Sequence, residues 1–253
     1  MFLHKSYPCL VHNIAMSMRE TFTDIYRKNL WGDESIENPL SGDGSNPLTA
    51  RPYVNFVKNT IGDLKITSVL DVGHGDWAMW REYDFPNVDY TGVDIADDLS
   101  LKLESILGTP SRRFKQIGDN DEFPQAQMLL SKEVLQHLSN SQVISFLNRV
   151  HGFEYLLFCN GYYPKKLLVT RVLNWLQPKT RCRQLFRGRS PLYRVPFPRN
   201  NRDIPTGDFR GINLKKAPFK IITERYSLVS TFSYKGRPGT GLVLNVYLFE
   251  SNS

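Results

Sequence analysis

The chain has 253 residues, with 32 Lys and Arg against 25 Asp and Glu and a formal net charge of +7. Its hydrophobic fraction of 41% and charged fraction of 23% are typical of globular proteins, which excludes a disordered chain, a collagen and a small disulfide scaffold. No apolar run reaches the ~18–20 residues of a membrane span. Three widely spaced cysteines, Cys9, Cys159 and Cys182, favour a reducing, cytoplasmic compartment and predict no zinc site.

The positive charge is concentrated in one segment, residues 155–202, which contains no acidic residue. It holds eleven of the 32 basic residues, which leaves 21 against 25 acidic residues in the rest of the chain. These eleven are Lys165, Lys166, Arg171, Lys179, Arg181, Arg183, Arg187, Arg189, Arg194, Arg199 and Arg202. Such a segment is either a solvated surface or a contact for a phosphorylated ligand, an anionic membrane or a nucleic acid. Residues 165–176 within it read as a short basic amphipathic helix.

Two helices are predicted ahead of the first strand, because apolar residues recur there at spacings of three and four. They cover residues 16–30 and 48–62. Between them lie Trp31 and the small, polar loop Ser41-Gly42-Asp43-Gly44-Ser45. The second helix is expected to bury Tyr53, Phe56, Val57 and Ile61.

From residue 66 onward, short apolar runs alternate with segments of helical length, which predicts a parallel sheet. The expected strands are 66–72, 88–95, 113–117, 126–131 and 153–160, and the expected helices are 99–107 and 139–150, with a further helix-length connection after the first strand. Residues 219–229 and 241–249 predict an antiparallel pair joined by a turn at 235–239. The fold class is therefore α/β, with a seven-stranded, mostly parallel sheet, an antiparallel C-terminal strand pair and helices on both faces.

A glycine-rich turn, Gly73-His74-Gly75-Asp76-Trp77, follows the first predicted strand. Glycines between a strand and a helix let a ligand approach the backbone, and the helix N-terminus presents free N–H groups. Asp71, at the end of the strand, is placed to accept hydrogen bonds from an ammonium group. The turn lacks the third glycine of a dinucleotide fingerprint, so an ordinary tight turn is the alternative.

Two further acidic positions follow predicted strands. Asp94 closes the second strand and is placed to accept hydrogen bonds from both hydroxyls of a ribose. The alternative is a helix N-cap, which Asp97 or Asp98 can also supply. After the third strand, Asp119 or Asn120 can bond an adenine amine, or the segment is an ordinary Asx turn.

The fourth predicted strand ends at Ser131 and leads into a polar loop with Lys132, Glu133 and His137. Ligands of α/β folds bind at the carboxyl ends of the strands, so this loop is a candidate for the site. A catalytic role and a purely structural role both remain open for His137.

Three motifs together, VLDVGHGDW (69–77), YTGVDI (90–95) and LLSKEVLQHLSN (129–140), resemble class I S-adenosylmethionine-dependent methyltransferases. Within them the chain is most similar to a bacterial and viral group associated with glycan biosynthesis. That group also has a Trp before a Ser-Gly-x-Gly-Ser loop, and a late Asp-x-Arg element followed by Pro-Phe, as in Asp208-Phe209-Arg210 and Pro218-Phe219. The resemblance covers roughly residues 22–249. The chain departs from the pattern at His74 and Gln127.

The resemblance implies a Rossmann-like sheet, S-adenosylmethionine as the cofactor, and two regions. Residues 1–62 would form an N-terminal helical cap or lid that contributes to the active site. Residues 63–253 would form the methyltransferase domain, with a basic acceptor-recognition insertion at about 161–215. The implied cofactor-binding residues are Asp71, Gly73, His74, Gly75, Asp76, Trp77, Asp94, Ile95, Asp119, Asn120, Ser131, Lys132 and Glu133.

Transfer of a methyl group to a hydroxyl requires a group that accepts the hydroxyl proton. His137 is the first candidate for this base and Glu133 the second, while Asp208 orients the acceptor or serves as base itself. The expected substrate-binding residues are Trp31, Ser41, Gly42, Arg181, Arg183 and Arg210.

The predicted activity is O-methylation of a sugar hydroxyl in glycan biosynthesis, on an acceptor that is phosphorylated or lipid-linked, with peripheral membrane contact through the basic segment. One alternative is an RNA methyltransferase that uses residues 155–202 to bind RNA. It is less favoured because the sequence has no zinc-finger, RRM or KH signature. The other alternative is a non-catalytic binding protein with a methyltransferase fold.

Overall fold

The computed structural model describes residues 16–33, 35, 38–164, 200–235 and 242–252. Two helices come first, α1 (Met18–Arg27) and α2 (Pro47–Leu64). A capping box between Ser17 and Glu20 starts α1, and the side chain of Asn46 accepts the first free N–H groups of α2. Both helices predicted ahead of the first strand are thus confirmed.

Seven strands form one sheet in the order β3-β2-β1-β4-β5-β7-β6. The strands are β1 (Ser68–Val72), β2 (Asp89–Asp94), β3 (Arg112–Gln116), β4 (Met128–Lys132), β5 (Tyr155–Tyr162), β6 (Tyr226–Lys235) and β7 (Val243–Ser251). The first five run parallel, and β7 pairs antiparallel with both β5 and β6. The predicted mostly parallel sheet with an antiparallel C-terminal pair is confirmed.

Helices cover both faces of the sheet, as predicted. On one face, α1 and α4 (Asn140–Arg149) bury residues such as Phe22 and Phe146 against Leu129 and Phe158. On the other face, α2 and α3 (Leu99–Leu107) bury Tyr53 and Leu103 against alternate strand residues. Successive side chains of each strand point to opposite faces of the sheet, so apolar residues along a strand line both faces. A sheet covered by helices on both sides requires this.

The helix expected directly after the glycine-rich turn is wrong. In its place the chain forms a short 3₁₀ turn, Ala78–Trp80, within an aromatic cluster of Trp77, Trp80, Tyr83, Phe85 and Tyr90. Because α2 packs beside this turn and covers the same face, a further helix is not needed to bury β1 and β2.

Two other expectations about the C-terminal part change. Phe219–Glu224, expected to start a strand, forms a 3₁₀ helix that buries Phe219 and Ile222 three residues apart on one side. The strand that follows it begins at Tyr226. The turn predicted at 235–239 and the helix predicted at 165–176 lie mostly or wholly outside the described residues.

The strand order reverses between β1 and β4, since the chain proceeds from β1 to β2 and β3 on one side and from β4 to β5 on the other. In parallel sheets, the crevice at the carboxyl ends of such a strand pair is where ligands bind. The relevant loops are those after Val72 and after Lys132. No helix in the part of the chain that the structure describes is long and apolar enough to span a membrane.

Candidate functional site

The turn after β1 is held in a conformation that favours glycine. Gly73 has φ +80° and Gly75 has φ +59°. A Cβ atom on Gly73 would overlap the side chain of Val134, which belongs to the loop after β4. The turns after β1 and β4 are therefore in direct contact across the switch point, and the glycines make this approach sterically feasible.

Asp94 ties the turn to the end of β2. Its Oδ2 accepts the backbone N–H of Gly75 at 3.0 Å, and its Oδ1 accepts the N–H of Ala96 at 3.0 Å. Asp94 is 7% exposed. Asp98 occupies the N-cap position of α3 and makes no side-chain cap bond, so Asp94 does not serve as the N-cap that was its alternative role.

Asp71 lies beneath this turn and is held by two side-chain hydrogen bonds. Its Oδ2 accepts from Trp80 Nε1 at 2.9 Å and from the hydroxyl of Tyr90 at 2.8 Å. Burial raises the pKa of Asp71, and the hydrogen bond from Tyr90 opposes that shift. The structure thus gives Asp71 a role in fixing the end of β1, and its predicted contact with an ammonium group stays a prediction.

The side chains of His74 and Trp77 turn into the protein. The two ring nitrogens of His74 lie 2.7 Å from Gly75 O and 2.9 Å from Ser100 Oγ. Trp77 packs edge-on against Tyr90 and Phe114. Any ligand contact of these two residues would therefore use mainly their backbone atoms.

A buried ion pair begins the loop after β4. Lys132 Nζ donates to Gly44 O at 2.7 Å and pairs with the carboxylate of Glu133. Burial raises the pKa of Glu133, but the charge and hydrogen bond of Lys132, together with Gln136, more than offset it, so the pKa lies below its ordinary value. Glu133 is consequently a carboxylate at neutral pH.

The loop 41–45 lies across both turns. The backbone N–H of Ser41 donates to Asp76 Oδ2 at 3.3 Å, and the N–H of Asp76 donates to Ser41 Oγ at 2.8 Å. At its other end, a Cβ atom on Gly44 would overlap the carboxylate of Glu133. Trp31 packs beside Gly42. The loop is therefore hydrogen-bonded to the turn after β1 and in contact with the turn after β4. Its predicted role as part of a lid stays a prediction.

His137 lies in a set of aromatic rings next to this loop. Its ring centroid is 4.8 Å from that of Trp31 and 5.7 Å from that of Phe209. Its Nδ1 lies 3.0 Å from the backbone oxygen of Asp208, whose own carboxylate is exposed. Burial lowers the pKa of His137 to about 4. The imidazole is therefore neutral at pH 7, with one ring nitrogen able to accept a proton.

The remaining residues predicted to contact the cofactor are Ser131, Ile95, Asp119 and Asn120. Ser131 Oγ is buried and has no hydrogen-bond partner among the described residues. The side chain of Ile95 packs on the core between α1, α4 and the sheet. The backbone N–H of Gly118 donates to Asp121 Oδ2 at 2.7 Å and the N–H of Asp121 donates to Gly118 O at 3.3 Å, so residues 118–121 form a turn. The predicted adenine contacts of Asp119 and Asn120 stay predictions.

Arg210 is 2% exposed and is engaged within the protein. Its guanidinium donates to Leu135 O at 2.8 Å and to Asn140 Oδ1 at 3.2 Å. These bonds hold the segment that carries His137, whereas its predicted contact with substrate stays a prediction. Arg181 and Arg183, also predicted to bind substrate, lie outside the described residues.

Two residues that sequence reasoning missed are prominent in the site. Gln136 is 2% exposed, and its side-chain amide nitrogen is within hydrogen-bond distance of both Glu133 and His137. The sequence could have indicated Gln136, because it is a polar residue that lies between Glu133 and His137. Asn200 donates to Tyr163 O at 2.8 Å and accepts from Tyr163 N at 3.0 Å. No local pattern marks Asn200, because its partner is 37 residues away.

No group of three or more His, Cys, Asp or Glu side chains within the described ranges is arranged to hold a metal ion. No protein-family model matches the sequence, and the comparison with curated proteins found no match.

Comparison with solved structures gives a consistent fold. The N-methyltransferase NodS from Bradyrhizobium japonicum WM9, in complex with S-adenosyl-L-homocysteine, is 10% identical, with 92% of this chain and 100% of NodS covered and a TM-score of 0.57. Magnesium protoporphyrin IX methyltransferase (ChlM) from Synechocystis PCC 6803, with the same molecule bound, is 14% identical, with 93% and 96% covered and a TM-score of 0.55. The 1,6-didemethyltoxoflavin-N1-methyltransferase from Burkholderia thailandensis is 16% identical, with 93% and 88% covered and a TM-score of 0.56. The chain thus has the Rossmann-like fold of S-adenosylmethionine-dependent methyltransferases.

Proposed function

We propose that this chain is an S-adenosylmethionine-dependent methyltransferase whose cofactor binds at the switch point between β1 and β4. The observation that carries the proposal is the hydrogen bond between Gly75 and Asp94. It joins a glycine turn after the first strand to the acidic residue that ends the second strand, and this pairing is typical of nucleoside-binding α/β proteins.

The residues at the crevice fit such a ligand. Each oxygen of Asp94 accepts one backbone N–H, and a carboxylate has about four acceptor positions in all, so two remain for the hydroxyls of a ribose. Ser131 Oγ is buried without a partner in the described structure, and a polar ligand would satisfy it.

S-adenosylmethionine, when bound, supplies a methyl group on its sulfonium. The chain then has to place an acceptor in line with that methyl group and remove its proton. Neutral His137 has an imidazole nitrogen that can take a hydroxyl proton, and Asp208 fixes the ring through its backbone carbonyl. Glu133 is the second candidate base, and its carboxylate is already paired with Lys132.

For the acceptor, we propose a hydroxyl of a saccharide. Trp31, His137, Phe209 and Tyr163 are all partly exposed, and neighbouring ring centroids are 4.8–6.3 Å apart. Aromatic rings of this kind stack on the apolar faces of sugar rings. Tyr163 is hydrogen-bonded to Asn200, and ten of the eleven basic residues of the segment 155–202 lie between these two in the sequence, which supports an acceptor that carries phosphate or a lipid-linked phosphate.

Calorimetry with S-adenosylmethionine tests the cofactor site. Asp94→Ala should weaken binding by about 10- to 100-fold, the effect of losing hydrogen bonds to a charged group. Asp89→Ala is the matched control, since Asp89 is an exposed residue of the same type at the opposite end of β2. Absence of binding to the wild-type chain, or equal binding by Asp94→Ala, would contradict the proposal.

An acceptor screen with methyl-labelled cofactor tests the saccharide class. Nucleotide sugars and lipid-linked sugar phosphates should become labelled, whereas RNA should remain unlabelled. Labelling of RNA with a steep loss of activity in higher salt would instead support the nucleic-acid alternative.

A further inference from the structure

Gln136 is buried in a turn whose backbone is fixed on all sides. It belongs to the 3₁₀ turn Leu135–His137 that follows β4. The carbonyl of Gln136 accepts from Arg210 N at 3.1 Å, and the carbonyl of His137 accepts from Gly207 N at 2.8 Å. Together with the guanidinium of Arg210 on Leu135 O, these bonds leave the turn little freedom to move.

The orientation of the Gln136 side-chain amide is set by β5. The backbone N–H of Gly161 lies 2.7 Å from one terminal atom of that amide. Since an N–H can only donate, this atom is the oxygen, and the other terminal atom is the nitrogen with its two hydrogens. The amide nitrogen lies 3.3 Å from Glu133 Oε1 and 3.3 Å from His137 Nε2.

This orientation defines the state of the His137 ring. The amide nitrogen of Gln136 has no acceptor lone pair, so His137 Nε2 has to be the acceptor and carries no proton. The single ring proton then lies on Nδ1, where the carbonyl of Asp208 accepts it at 3.0 Å. Both ends of the ring thus require the same tautomer, with the proton on Nδ1.

We infer that Gln136 is a positioning residue for methyl transfer, which presents His137 as a neutral imidazole with an unprotonated Nε2. This inference rests on the proposed function for its role in the reaction. Until the acceptor arrives, the Gln136 amide covers the Nε2 lone pair. An acceptor hydroxyl replaces that amide as the donor and later passes its proton to Nε2, while Gln136 keeps its bond to Glu133.

The charged groups around His137 have opposite effects on its protonation. The Glu133 carboxylate favours the imidazolium, the Arg210 guanidinium disfavours it, and the carbonyl of Asp208 favours a protonated Nδ1 in either state. Trp31 and Phe209, which pack on the ring, carry no charge. Gln136 is therefore the neighbour that determines whether Nε2 meets a donor or an acceptor.

The test is ¹⁵N NMR of the histidine rings across pH, on the full chain without cofactor. The resonances of His137 are assigned by their loss in His137→Asn. In the wild type at pH 7, Nδ1 should be protonated and Nε2 unprotonated. In Gln136→Glu an oxygen acceptor faces Nε2, so the pKa of His137 should rise from about 4 to about 5–7, and at pH 5 more of the rings than in the wild type should carry protons on both nitrogens.

Gln125→Glu is the matched control, because it adds the same charge at an exposed site near the amino end of β4 and should leave the resonances of His137 unchanged. Gln136→Met, which removes the donor and keeps the length, leaves only the carbonyl of Asp208 to hold the proton on Nδ1, so the fraction of rings with the proton on Nε2 should rise above that of the wild type. A wild-type ring with its proton on Nε2, or an unchanged pKa in a folded Gln136→Glu, would overturn the inference. If neither variant folds, the wild-type tautomer decides. Since no cofactor is present, failure of cofactor binding would contradict the proposed function and leave this result standing.

Discussion

Lys132 Nζ donates a hydrogen bond to the carbonyl oxygen of Gly44 at 2.7 Å, although 88 residues separate them. The same nitrogen pairs with the carboxylate of Glu133. One buried ammonium group thus joins the N-terminal loop to the carboxyl end of β4. This cation holds the Gly44 end of the loop over the switch point, while the hydrogen bonds between Ser41 and Asp76 hold its other end.

Lys132→Met should destabilise the fold by about 3–5 kcal/mol, because it leaves the Glu133 carboxylate buried without its partner. Chemical denaturation at pH 7 measures the loss. The double variant Lys132→Met/Glu133→Gln removes the stranded charge and should recover much of it. If the single variant is as stable as the wild type, the ion pair contributes nothing to the fold.

The ion pair between Lys132 and Glu133 also predicts that the stability of the wild type and that of Lys132→Met change with pH in opposite directions. In the wild type the pKa of Glu133 lies below its ordinary value of 4.5, so its stabilising contribution is present above that pH and is lost as the pH falls through the folded-state pKa. In Lys132→Met the two lowering effects of Lys132 are lost, and burial, the largest single effect, is opposed only by Gln136 and His137, so the pKa of Glu133 should rise. That variant should therefore lose stability as the pH rises above 4.5, and urea midpoints between pH 3 and 7 would show the reversal.

The lowered pKa of His137 predicts a second pH-dependent change in the stability of the fold, between about pH 4 and 6.5. Its pKa falls from 6.5 to about 4 on folding, so the unfolded chain binds the proton more readily than the folded chain between these values. Stability should be full above pH 6.5, decline as the pH falls toward 4, and then change no further on account of this residue. In His137→Asn this part of the decline should disappear, whereas His151→Asn, at an exposed position, should retain it.

Replacement by alanine should change the stability of the fold in opposite directions at two glycines, Gly75 and Gly62. Gly75 has φ +59°, and a Cβ atom there would overlap Ser41 Oγ, so Gly75→Ala should cost about 1–3 kcal/mol. Gly62 lies in α2 with no atom within 4 Å of its added Cβ, so Gly62→Ala should stabilise the chain by about 0.5–1 kcal/mol. Thermal denaturation of both variants checks this pair, and a neutral Gly75→Ala would show that the loop contact is dispensable.

The basic segment should affect acceptor use and leave cofactor binding unchanged. Replacing Arg181, Arg183 and Arg187 by Gln removes three positive charges. Methyl transfer to a phosphorylated acceptor should then show a raised KM, with calorimetric affinity for S-adenosylmethionine unaltered. A control triple variant with the same charge change, at exposed positions elsewhere, is Arg51, Lys115 and Lys220 to Gln. Equal effects from both variants would assign the result to net charge alone.

The strands were predictable because each is a short apolar run with turn residues at both ends, and the order of strands and helices then restricts the topology. The region after Gly75 was not predictable in the same way. Its aromatic residues pack under α2 and around Asp71, and these contacts join parts of the chain distant in sequence. Local spacing contains no information about such partners.

The placement of a candidate residue was predictable where its type coincides with a strand end, as for Asp94 at the end of β2. It was not predictable where hydrogen bonding decides the role. The role of Arg210 in supporting the loop of His137 follows only from its bonds to Leu135 and Asn140, while its contact with substrate stays a prediction. Gln136 likewise gains its significance from Gly161, which lies on the neighbouring strand.

The paired hydrogen bonds between Asn200 and Tyr163 bring together the two ends of the stretch 165–199, next to the last residues of β5. When the ends of a stretch are already fixed in contact, doubling its length costs only about 0.6 kcal/mol of closure entropy. Its length and composition can therefore diverge with little penalty to the sheet. Under the proposed function, acceptor preference could then change without changes in the strands proposed to bind the cofactor, and the bonded pair Tyr163 and Asn200 marks a boundary for exchanging this part of the sequence.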